Sequence, residues 1–125
     1  MNKLKMKLIS NGEVKLEGES NYQVVNNKMI FRVDNSNYYI DLDKKTFEKR
    51  NIDTNILIDI SNKTMILKLV NHPGSIDLEL TKFVFENVDN EIKIDYSYFL
   101  EENMNNSIHI NLYWHDLILC YNLYV

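Results

Sequence analysis

The chain has 125 residues, 45% of them hydrophobic and 26% charged, with 14 Lys+Arg against 18 Asp+Glu for a net charge of −4. That balance belongs to an ordinary globular chain, long enough for one domain that buries roughly two thirds of its unfolded surface and too short for a multidomain enzyme. The acidic excess argues against a nucleic-acid partner, which a basic face usually advertises.

Ala, the best helix former, is absent from the whole sequence, while Ile, Tyr, Phe and Val abound. These stiff or broad side chains suit a pleated surface, so an all-β fold is expected. Apolar and polar residues alternate along most of the chain, the period of strands with one buried face. Leu4, Met6 and Leu8 open the pattern between Lys3, Lys5 and Lys7. A two-residue Asn11-Gly12 turn would set Leu8 against Lys15. A three-residue loop Ser10-Asn11-Gly12 is therefore expected, pairing Leu8 with Val14 and Met6 with Leu16; one long strand bulged at Gly12 satisfies parity equally.

Next, an Asn26-Asn27 turn pairs Val24 with Met29 and Tyr22 with Phe31, and an Asn35-Ser36 turn pairs Val33 with Tyr38, Phe31 with Ile40 and Met29 with Leu42. After Lys44-Lys45, Phe47 faces Leu42 but Lys49 would then oppose Ile40, so the strand from Thr46 to Arg50 should be short or bulged. Ile58 faces Leu67 about Asn62-Lys63. The segment from Val70 to Gly74 breaks the ladder, because Pro73 cannot donate a hydrogen bond. Phe83 and Phe85 return through Asp89-Asn90 to Tyr96 and Ile94, and a polar loop from Glu101 to Ser107 leads to Ile108, Ile110 and Leu112. No ten-residue stretch reads as helix. The expected fold is one domain over residues 1–125: eight to ten short antiparallel strands closing into an up-and-down barrel, with a two-sheet β-sandwich as the alternative.

Residues that could carry chemistry are sparse. His72, His109 and His115 lack metal-ligand spacing, and His109 falls on the outward side of Ile108 and Ile110. Cys120 sits in an apolar tail with no basic neighbour to activate it, and a lone Cys forms no internal disulfide. Asp41 and Asp43 flank Leu42 and read as a solvated outward face. Gly12, Gly18 and Gly74 are isolated and read as turns or bends. No catalytic residue, metal or cofactor is expected, and the chain reads as noncatalytic. Without a leader-like or membrane-spanning apolar run, it reads as cytoplasmic, with no membrane partner.

The aromatic residues Tyr22, Phe31, Phe83, Phe85, Tyr96 and Tyr98 lie on apolar faces and are the candidate lining for a small apolar ligand. With no Ala, and no Gly placed inward, large side chains would fill that interior instead. The tail from Trp114 to Val125 carries Leu117, Leu119 and Leu123. It reads as a closing strand or, with Trp114, as an interface for a homodimer through the tail or an edge strand. Monomer and homodimer both stand.

One family resembles this order of features: the YwiB-like proteins, small uncharacterised bacterial barrels of calycin-like fold. The resemblance is carried by Ser10 with the Glu13-bearing turn, Gly18-Glu19 to Tyr22, and the hairpin residues from Asn27 to Arg32. It continues through the Pro73-Gly74 bend before Ile76 and Leu78, and the hairpin from Glu91 to Leu112. Arg50-Asn51 stands where the family has an Arg-x-Gly. The resemblance covers roughly residues 5 to 113 and implies an eight-stranded closed barrel in a cytoplasmic bacterial protein, with no catalytic residue. Ligand binding by calycins is an analogy of fold alone.

Overall fold

The computed structural model describes residues 3–114. Alternating residues form ten strands and, among the described residues, no helix: β1 (Lys3–Ser10), β2 (Glu13–Val25), β3 (Lys28–Val33), β4 (Ser36–Asp41), β5 (Thr46–Arg50), β6 (Thr54–Asp59), β7 (Thr64–Leu69), β8 (Ile76–Val88), β9 (Glu91–Glu101) and β10 (Met104–Trp114). Each pairs antiparallel with its neighbours in sequence, and β10 returns to β1. The result is a closed up-and-down barrel of ten strands, two more than the family resemblance implies.

Turn chemistry explains the tightest connections. Asn26 and Asn27, Asp34 and Asn35, and Asp89 and Asn90 all have positive φ, from 50° to 63°. Two successive left-handed residues make the turn whose twist matches the strands it joins, and Asn and Asp tolerate that backbone best. The turns at 26–27, 42–45, 60–63 and 89–90 gather at one end, here the lower; those at 11–12, 34–35, 51–53, 70–75 and 102–103 form the upper end.

Two strands, each of 13 residues, make the corners. Residues 13–21 of β2 pair with β1, while Tyr22–Val25 pair with β3. Likewise Ile76–Glu79 of β8 pair with β7, and the ladder to β9 runs from Leu80 to Val88 with a bulge between Leu80 and Lys82. The barrel is therefore two sheets sharing β2 and β8, with strands bent or bulged where they change partners. Inside the β2 bend lies Gly18, opposite Met6: Val33 Cγ1 lies 2.7 Å from where a Cβ of residue 18 would stand. Gly18 is thus an inward-facing residue within a strand, not a turn.

Several registers differ from those expected. The β1–β2 hairpin does use a two-residue Asn11-Gly12 turn, with Ser10 opposite Glu13 and Ile9 opposite Val14; a bulge at Lys15 then restores parity by placing Leu8 against Leu16. Val14 consequently lies off the apolar face and is exposed. Three other pairs slip by two: Phe31 meets Tyr38, Ile40 meets Phe47 and Ile58 meets Met65. Because side chains alternate with period two, that slip leaves every inward residue inward. The hairpins Tyr22 to Phe31 and Phe83 to Tyr96 pair as expected, and β5 is short, five residues. The supposed polar loop from Glu101 to Ser107 is mostly strand, connected by residues 102–103 alone, with a bulge after Met104.

The core is continuous. Ile40, Ile58, Ile92, Ile94, Ile110 and Leu112 have no exposed surface, and Leu4, Met6 and Tyr38 have almost none. Large side chains thus occupy the middle of the barrel, as close packing requires.

Candidate binding sites inside and outside the barrel

The six aromatic residues expected to line the interior do face it, in two groups. Phe31 and Tyr96 are buried in the core; Tyr22, Phe83, Phe85 and Tyr98 are half-buried and pack against it. Tyr38, which sequence reading treated only as a strand partner, is the centre of the array. It stacks on Phe31 with ring centroids 5.1 Å apart and tilts against Phe47 at 5.7 Å. Tyr96 and Tyr98 stack at 6.2 Å, and Tyr22 meets Trp114 at 6.0 Å. Lys63, from the turn at 60–63, lies over Phe83, its Nζ 4.9 Å from the ring centre.

The interior is chemically layered. Around Ile40, Phe47, Ile58 and Ile92 it is wholly apolar, whereas toward the upper end Ser36, Tyr38, Tyr96, Tyr98 and Asn106 place polar groups at inward positions. Burial pushes the Tyr96 phenol well above its ordinary value, with the nearby Tyr98 and Tyr38 phenols acting the same way. Burial likewise raises Tyr38, against an opposing hydrogen bond with Ser36, and raises Tyr98. Above them, Leu69 and Ile76 keep inward parity but are exposed at 41% and 52%, and Leu100, the extra residue of the bulge in β9, is exposed at 55%. Asn106 pairs with Tyr98, and its Nδ2 is buried without a hydrogen-bond partner among the described residues while its Oδ1 accepts from Asn11. An apolar rim thus stands over a polar shelf at the upper mouth.

Outside, the sheet of β8, β9, β10, β1 and β2 carries rows of polar residues. Asp95 and His109 are opposite one another, with the Asp95 carboxylate on His109 Nδ1. That contact assigns the ring proton to Nδ1 and fixes the ring's orientation. One row higher, the Ser97 and Ser107 hydroxyls lie 3.1 Å apart, beside a small cleft of about 210 Å³ reached by Lys82 and Gly12. Below His109, a groove of about 590 Å³ runs across β10, β1 and β2. Polar alternation marks these residues only as outward, which is why sequence reading passed over them.

Other candidates resolve into structure. Asp41 is buried, not solvated: its Oδ1 accepts the N–H groups of Lys44 at 2.9 Å and Asp43 at 3.0 Å. The Lys44 N–H is the main cause holding its carboxyl below the usual range. Asp43 instead accepts from Asn27 Nδ2. No group of three His, Cys, Asp or Glu that could hold a metal forms among the described residues. Of the tail residues, Trp114 ends β10 on the core; Leu117, Leu119, Leu123, His115 and Cys120 lie outside the described residues.

No family model matches the sequence, and no curated protein matches it. Among solved structures, the chain is similar to the crystal structure of the ywiB protein from Bacillus subtilis, at 11% identity and a TM-score of 0.39 over 92% of this chain and 90% of that one.

Proposed function

We propose that this protein is a noncatalytic binding barrel that takes a small apolar molecule at its upper mouth. The observation that carries this reading is the exposure of Leu69 and Ile76 at inward positions, with Leu100 at the β9 bulge, at the same end of the barrel as the inward Tyr38, Tyr96 and Tyr98. Apolar walls with a few convergent polar groups are what a small-molecule site needs. Because large side chains fill the middle of the barrel, as the absence of Ala suggested, the site proposed is this end and not the whole aromatic interior. With it goes the reading of a cytoplasmic, YwiB-like bacterial protein of calycin-like type, supported by the turn and strand features that carry the resemblance.

The test is a thermal-shift and native mass-spectrometry screen of fatty acids and aromatic metabolites. A ligand at 100 times its Kd stabilises the folded state by about 2.7 kcal/mol. Leu100→Asp should abolish that gain while leaving the free protein folded. No stabilisation and no retained mass across the screen would overturn the reading.

A second reading, association of two copies, is favoured by one observation. Residues 13–19 of β2 and 82–88 of β8 each have a strand partner on one side only among the described residues. Unpaired edges template strand addition, although Glu13, Lys15, Glu17 and Glu19 put charge along the first. Sedimentation of the full chain distinguishes monomer from dimer.

A further inference from the structure

The outer groove is independent of the mouth and chemically distinct from it. Three registered rows build it across adjacent strands: Ile9 with His109, then Lys7 with Asn111 and Glu17, then Lys5 with Tyr113 and Glu19. Opposite charges directly across a ladder usually meet. Among the described residues, Lys7 and Glu17 form no ion pair, Lys5 forms none, and Glu19 touches Lys3 alone, at the 4.0 Å limit. The groove opens between these side chains over Gly18 and Met6.

Its charges are therefore sorted by strand: ammonium groups on β1, carboxylates on β2. Neighbouring strands lie about 4.8 Å apart, so the ammonium ends on β1 and the carboxylate ends on β2 flank one groove, where long flexible side chains can reach the two ends of a single small zwitterion. Across the groove, Asn111 and Tyr113 on β10 add an amide and a phenol. Ile9 and the ring of His109, which Asp95 holds in place, close its upper end with a partly apolar wall. At about 590 Å³ it has room for more than a backbone. We infer that this groove binds a zwitterionic α-amino acid with an apolar or aromatic side chain, its carboxylate on Lys5 and Lys7 and its ammonium on Glu17.

An amide-resolved NMR titration of the full ¹⁵N-labelled chain with phenylalanine tests this, with 3-phenylpropionate and 2-phenylethylamine as the two half-ligands. Saturable shifts at Lys7, Gly18 and Asn111 are expected, with phenylalanine binding at least about tenfold tighter than either half-ligand, the fold lost with one charge-assisted hydrogen bond. Lys7→Met and Glu17→Gln should each weaken binding by about tenfold while keeping a dispersed spectrum. The comparison of half-ligands needs no variant, so it stands even if a substitution disturbs the strand. Absence of saturable shifts in the groove, or equal binding of the carboxylate alone, would overturn the assignment. Shifts confined to Tyr98 and Leu100 would place any binding at the mouth and overturn it too.

Discussion

Gly18 shows how much one residue can decide. Its missing Cβ is the space that Val33 fills from β3, and Val33 is a β-branched side chain with little freedom to move aside. Gly18→Ala should cost about 1–3 kcal/mol by overpacking. In a Val33→Ala background the same substitution should cost much less, a coupling that chemical unfolding of the two single variants and the double variant measures directly. Sequence reading made Gly18 a bend because nothing local distinguishes a glycine at a turn from one pressed by a distant strand. Asp41 was misread for a related reason. Its role is set by the backbone N–H groups of Lys44 and Asp43, which wrap around it once the chain reverses.

Among the elements, the turns divide into two kinds. Where Asn or Asp fills both left-handed positions, the register could be read directly at 26–27 and 89–90, whereas at Asp34-Asn35 the neighbouring Asn35-Ser36 offered a competing turn and the expected pairing slipped by two. The four-residue turns at 42–45 and 60–63 place a lysine at positive φ, Lys45 at 56° and Lys63 at 59°, and there the expected pairing slipped by two. Left-handed backbone costs a residue with a Cβ roughly 1–2 kcal/mol, part of which glycine's greater unfolded freedom gives back. Lys45→Gly should therefore raise stability by about 0.5–1 kcal/mol. Lys63→Gly should gain less, since it also removes the ammonium from the face of Phe83, a contact worth about 0.5–1 kcal/mol. Midpoints of urea unfolding, at unchanged slope, check both. The bulge at Lys15 had no such signal: parity alone excluded the turn that forms, because parity assumes an unbroken ladder.

At the scale of the molecule, alternation gave the all-β barrel and almost all of its core, and it gave neither the shared corner strands nor the outer groove. Both arise from strands distant in sequence: β10 meets β1 only because the barrel closes. The buried tyrosines give the whole fold a dependence on alkaline pH. Tyr38, Tyr96 and Tyr98 are all raised by burial, so the unfolded chain loses these protons first as pH climbs. Their contribution is complete below about pH 10, the unfolded phenol value, and is lost above it at up to about 1.4 kcal/mol per pH unit for each group. Denaturation at pH 9, 10 and 11 should show that slope, and Tyr96→Phe should flatten it. Barrel closure also bears on how the chain reaches this state. Nine of the ten ladders join consecutive strands and zip from local turns, whereas the tenth sets Leu4 against Trp114. The entropy of joining ends that far apart opposes this one ladder most, so substitutions that weaken the seam between β1 and β10 are expected to slow refolding more than equal losses in the local hairpins, which stopped-flow refolding checks.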